Sequence, residues 1–188
     1  MSVLFINGCV REKSRTKALA DYLISKLDGE VIRVDLQNEN IAPLDAQRLS
    51  ERDSALLNKD TQHKILKYAV QFSNADIIVV ASPFWDLSFS SLIKVYFENV
   101  TAVGVTFDYD KNGIPFGMCK AKKLYYVTTA GGQIFNKDFG YGYIRELCRS
   151  FYGIPQVEFI SAQGLDIIGA DVESIMDDAK KNIDKLFE

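Results

Sequence analysis

Residues 77–100, IIVVASPFWDLSFSSLIKVYFENV, carry the pattern that decides the fold. Ile77–Ser82 is a short, unbroken apolar run led in by Asp76, which predicts a strand buried on both faces. Pro83 ends it. Ser90–Val100 then repeats Leu92, Val95, Tyr96 and Asn99 in helical register. A strand buried on both sides that leads into an amphipathic helix is the unit of a parallel sheet covered by helices.

The alternation extends both ways. Upstream, Val3–Asn7 predicts a first strand, and Ser14 opens a helix with Ala18, Leu19, Tyr22, Leu23 and Leu27 on one face. Val31–Leu36 predicts a second strand. Gln37–Lys59 is polar and irregular and is expected to be a long loop with at most a short helix. Thr61–Asn74 is expected to be helical. Downstream, VTFDYDKNGIPFG (105–117) sets alternating residues about DKNG, a hairpin-like excursion. Leu124–Thr128 and Val157–Ala162 predict the fourth and fifth strands, with a helix over Tyr143–Tyr152 between them. Val172–Phe187 closes the chain as a helix with Ile175, Ala179, Ile183 and Leu186 inward. Five such strands joined by right-handed crossovers predict one doubly wound α/β domain over residues 1–188.

Composition narrows the function. The chain has 188 residues, 47% of them hydrophobic, with a formal net charge of -3 and no block of like charges. Nucleic acid is therefore not an expected partner. Cys9, Cys119 and Cys148 form neither a disulfide framework nor a zinc-type pair. The single histidine, His63, has no partners at ligand or triad spacing, so no metal site and no Ser-His-Asp machinery is expected. The start runs straight into VLFI without a basic leader, and IIVVA is far too short for a membrane span. A soluble, cytoplasmic protein with no membrane partner is expected.

Doubly wound sheets bind ligands beyond the carboxyl ends of their strands, which directs attention to three loops. In NGCVREKSRT (7–16), Ser14-Arg15-Thr16 offers a helix start, two hydroxyls and a cation to an anion, or Ser14 simply caps the helix. Neither the dinucleotide nor the P-loop fingerprint is present. Cys9 and Arg15-Thr16 do fit the C-x5-R-[ST] spacing of tyrosine phosphatases, and their place after the first strand resembles the low-molecular-weight class. VREKS lacks the Gly or Asn that curls such a loop, and the chain has no Asp-Pro acid, so Cys9 reads as a small residue at a strand end. In the second loop, Phe84, Trp85 and Leu87 after Pro83 either pack against a neighbour or form a plate for a flat aromatic ligand. In the third, TTAGGQIFNKDFGYG (128–142), Gly131-Gly132 allows close backbone approach to a ligand or makes a plain turn.

With these residues in view, nearly the whole chain resembles the FMN-dependent NADH azoreductases and the related NAD(P)H:quinone oxidoreductases. The likeness is clearest from SPFWDLSFSSLIKVYFENV through GVTFDY and NGIPFG to TTAGG, and again at FYGIPQVEFISAQG. It implies a flavodoxin-like fold, a five-stranded parallel sheet in the order 2-1-3-4-5 with helices on both faces. It implies FMN held at its phosphate by Ser14, Arg15 and Thr16. The rings would lie along Pro83, Phe84, Trp85, Asp86 and Leu87, and along Thr129, Ala130, Gly131 and Gly132. NADH or NADPH would be the electron donor and a quinone, azo or nitro compound the acceptor, in a ping-pong cycle. The resemblance further implies a homodimer with two sites at its interface, and a substrate pocket shaped by Tyr109 and Phe151. Tyr96, Phe97, Phe107 and Tyr109 are the expected interface residues. Three departures from the family pattern, Trp85 for Tyr, Asp86 for Asn and Ala130 for Arg, face the reacting end, where an ionised Asp86 would oppose flavin reduction. The other readings are a one-electron flavodoxin carrier, a non-catalytic flavin-binding protein, and a phosphatase using Cys9 and Arg15.

Overall fold

A computed structural model describes residues 1–188. Five parallel strands form the sheet: β1 (Ser2–Asn7), β2 (Glu30–Asp35), β3 (Ile77–Ala81), β6 (Lys123–Thr129) and β7 (Gln156–Ala162). Their order across it is β2-β1-β3-β6-β7. The numbers between go to β4 (Phe107–Tyr109) and β5 (Pro115–Gly117), an antiparallel pair outside the sheet that realises the DKNG hairpin.

Helices cover both faces. On one, Ile78, Val80, Leu124 and Tyr126 of the sheet meet α3 (Lys67–Asn74), α4 (Ser91–Val100) and α5 (Tyr143–Leu147) through Phe72, Ile93, Phe97 and Ile144. On the other, Val3, Phe5, Val79 and Val127 meet α1 (Arg15–Ile24) and α6 (Val172–Asp184) through Leu19, Leu23, Ala179 and Ile183. Because the pleat sends alternate residues to opposite faces, each central strand feeds both cores and must be apolar throughout.

Four expectations need correction. Gln37–Lys59 holds more than a short helix: after an irregular stretch, Ala46–Leu57 forms α2, capped by Asp45, whose side chain accepts from the Arg48 backbone N–H at 2.8 Å. Only Ala55 of this helix is buried, and most of its residues are polar, which gives the stretch the composition of a loop. The expected 61–74 helix starts later, with a 3₁₀ turn at Lys64–Leu66 leading into α3. α6 stops at Asp184 and leaves Leu186 exposed. The expected interface aromatics Tyr96, Phe97 and Phe107 are 0%, 1% and 4% exposed, all within this one chain; only Tyr109 is at the surface. Phe97 lies between Phe72 and Tyr152, with ring centroids 6.3 Å from each, so these rings are core.

α5 is one turn of a longer helical segment, flanked by π-helical turns at Asp138–Gly142 and Cys148–Tyr152 and stopped by Gly153 in the left-handed region, φ 70°. Gly153 also receives the hairpin. A Cβ on Gly117 would lie 2.0 Å from the Gly153 nitrogen, so a glycine at the end of β5 is what lets the excursion dock. No helix is long and apolar enough to cross a membrane.

Candidate functional site

The carboxyl ends of β1, β3 and β6 open into a cleft of about 340 Å³. Each wall has a local cause. α1 is capped by Ser14, whose Oγ accepts from the Lys17 N–H at 3.2 Å, and the first-turn residues Arg15 and Thr16, whose N–H groups have no partner within the helix, line the cleft. Thr16, buried at the floor, shares a 2.6 Å hydrogen bond with Thr129 at the end of β6, tying the first loop to the third. Arg11 and Lys13 stand at the mouth, exposed and without ion pairs.

The second wall is Pro83, Phe84 and Trp85. The Phe84 N–H donates to the Thr129 carbonyl at 3.0 Å, extending the β3–β6 pairing past the sheet edge. The chain then reverses tightly. Trp85 and Ser88 exchange two backbone bonds, of 3.0 and 2.8 Å, across Asp86 and Leu87, whose φ values are +49° and +69°. Two consecutive left-handed residues define a type I′ turn, which ordinarily takes Asn-Gly. Here it takes Asp-Leu, and it points both side chains into solvent.

The third wall is Thr129, Ala130 and Gly131. Gly131 lies against Asp166: a Cβ there would come within 2.4 Å of Asp166 Oδ2, the end of an exposed side chain that can shift. Gly132 has open space and does not line the cleft. A fourth wall went unforeseen. Leu165 and Asp166, on the loop after β7, complete the ring. The strand-end rule applies to β7 as well as to β1, β3 and β6, but its loop, GLDIIG (164–169), holds no motif.

The structure thus brings together Ser14, Arg15, Thr16, Pro83, Phe84, Trp85, Thr129, Ala130 and Gly131. It leaves Asp86, Leu87 and Gly132 outside the cleft wall. Tyr109 and Phe151 are elsewhere too, packed against Phe107 at centroid distances of 5.4 and 4.7 Å. Cys9 is in the floor, 2% exposed, and burial pushes its thiol above the ordinary value. A phosphatase needs a stabilised thiolate, so the Cys9 and Arg15 reading loses its nucleophile.

The donor set suits a ligand with a phosphate and a flat apolar body. The helix start, Ser14 and the cations Arg11 and Lys13 answer the phosphate. Pro83, Phe84 and Trp85 answer the rings. FMN has both parts, and the residues fit it.

Comparisons with known proteins agree. Residues 1–187 match the family model Flavodoxin_2, described as a flavodoxin-like fold. An FMN-dependent NADH:quinone oxidoreductase of Coprothermobacter proteolyticus is 35% identical over 185 residues, covering 93% of this chain and 91% of its own. Another, from Clostridium perfringens, is 33% identical over 91% of this chain and 90% of its own. Among solved structures, a Bacillus anthracis azoreductase superposes with a TM-score of 0.84 at 20% identity, over 98% of this chain and 97% of the other. A Bacillus anthracis FMN-dependent NADH-azoreductase solved in complex with FMN gives 0.81 at 19% identity, over 99% and 97%.

Proposed function

The chain belongs to the Flavodoxin_2 family of flavodoxin-like proteins, and from that premise we propose that it is an FMN-dependent NAD(P)H oxidoreductase whose acceptors are quinones and azo compounds. The reading takes residues 1–188 as one FMN-binding domain, extends the acceptors to nitro compounds and gives the cycle a ping-pong order. Bound FMN would supply two-electron chemistry, a hydride in from NAD(P)H and two electrons out to the acceptor. The chain's own residues bind and orient. Ser14 and the helix start hold the phosphate end, Thr16 and Thr129 lock the floor, and Pro83, Phe84 and Trp85 cover a ring face.

One observation carries the proposal: a helix start with free N–H groups lies across the same cleft from an apolar plate, on a chain whose relatives are FMN-dependent quinone reductases. No side-chain nucleophile is required, which suits a cleft whose one thiol is buried and protonated. Tyr109 and Phe151 enter the reading only through a homodimer, in which the partner's hairpin would reach this cleft.

The purified protein should be yellow, release FMN rather than FAD by mass spectrometry, and bleach on NADH addition with colour restored by a quinone. A colourless protein that neither takes up FMN nor oxidises NADH would end the proposal.

A further inference from the structure

Arg15 already has a counter-ion. Its Nη1 donates to Asp166 Oδ1 at 2.9 Å and, at 3.4 Å, to the Leu165 carbonyl. The carboxylate comes from the β7–α6 loop, and that loop is zipped to the third wall by backbone bonds. The N–H groups of Gly164, Leu165 and Asp166 donate to the carbonyls of Gly132, Ala130 and Gly131 at 2.9, 3.2 and 3.0 Å. Asp166 is thus held beside the first turn of α1, where a ligand phosphate would bind, and Arg15 is its only ion-pair partner. The two side chains are 44% and 67% exposed. A pair that open to water is held weakly and exchanges readily.

A phosphate monoester seated on the helix start would carry more than one negative charge. It would attract Arg15 with a bidentate geometry that a single carboxylate oxygen does not use here. We propose that Asp166 is a specificity-determining residue: it holds Arg15 in the free chain and yields it to the phosphate of FMN, so this pair sets how strongly the protein prefers FMN over riboflavin. The inference rests on the reading of the cleft as the FMN site.

Dissociation constants for FMN and riboflavin, from equilibrium dialysis of the full chain with flavin fluorescence, test it. Asp166→Asn should bind FMN about two- to fivefold more tightly, the scale of an exposed ion pair released. Arg15→Gln should bind FMN about tenfold more weakly, the scale of a charge-assisted bond lost. Neither change should move riboflavin. The double variant should match Arg15→Gln, because Asp166 acts through Arg15. If Asp166→Asn weakens both flavins, the loop is only a wall and the proposal fails. It fails also if Asp166→Asn tightens FMN equally without Arg15, since that is direct repulsion, or if Arg15→Gln leaves FMN affinity unchanged. Should the unaltered protein bind riboflavin as tightly as FMN, the phosphate site itself is misplaced and the proposal falls with it.

Discussion

Thr16 shows how much a single hydroxyl can organise. It is buried in the first turn of α1, bonded to Thr129 at 2.6 Å, and so joins two loops while lining the floor. Replacing Ser14 and Thr16 together with Ala should weaken FMN binding by ~1.5–3 kcal/mol, the scale of hydrogen bonds to a charged group; an FMN titration that matches the parent protein would place the phosphate elsewhere. Leu87 illustrates the opposite economy. A β-carbon at φ +69° is strained by roughly 1–2 kcal/mol. Leu87→Gly should therefore raise stability by about 1 kcal/mol, or a melting temperature higher by ~2–4 °C for a chain of this size. Calorimetry checks this, and a lower melting temperature would mean that the exposed side chain has a stabilising contact. The site was legible in the sequence where function coincides with punctuation: a Ser before a helix, a Pro after a strand. It was illegible at Asp166, which belongs to the site through a 2.9 Å contact to a residue 151 positions away, and at Asp86, which a turn of unusual composition rotates out of the cleft.

Among the elements, those defined by burial were readable and the one defined by capping was not. The central strands β1, β3 and β6 stand out because both faces are covered, whereas the edge strands β2 (EVIRVD) and β7 (QVEFISA) mix apolar with charged and polar residues and are partly exposed. α2, held by Asp45 at its start and burying only Ala55, is mostly polar and so resembles a loop in sequence. The hairpin was readable from DKNG, although its docking on Gly153 was not, since that contact pairs two glycines far apart in sequence. The amino-terminal edge of the sheet is tied by Asp76. Its carboxylate accepts from the Ser2 N–H at 2.7 Å and pairs with Lys120 at 2.6 Å, which joins β1, β3 and the approach to β6. Lys120 first, then the Ser2 backbone, lowers this carboxyl from an ordinary 3.8 to about 2. A depressed acid contributes stability that is complete above the ordinary value and is lost as pH falls from there toward about 2. Asp76→Asn should flatten that part of the acid-unfolding curve while changing stability at neutral pH by a constant amount. Denaturant titrations across the acid range measure it, and parallel curves for the two proteins would show that the pair contributes nothing.

At the scale of the whole molecule, one group of exposed apolar side chains lies on and beside the hairpin. Tyr109, Ile114, Phe116 and Met118 are exposed there, at 48%, 60%, 48% and 45%. A cluster of this kind fits the proposed homodimer better than solvent does, and it replaces the buried Tyr96, Phe97 and Phe107 as the expected contact. Light scattering should give a dimer at micromolar concentration, and Phe116→Lys should give a folded monomer; a Phe116→Lys protein that stays dimeric would move the interface off the hairpin. The three cysteines carry a separate consequence. Cys9, Cys119 and Cys148 are all free and all buried, and desolvation raises every one of their thiols, Cys119 to about 12. Quinones are soft electrophiles that arylate accessible thiolates. A protein that met them at every turnover, as the proposed reaction requires, and presented no such nucleophile would be protected from inactivation by its acceptor. Incubation with a naphthoquinone should leave the native mass unchanged, and adducts should appear only once denaturant opens the core.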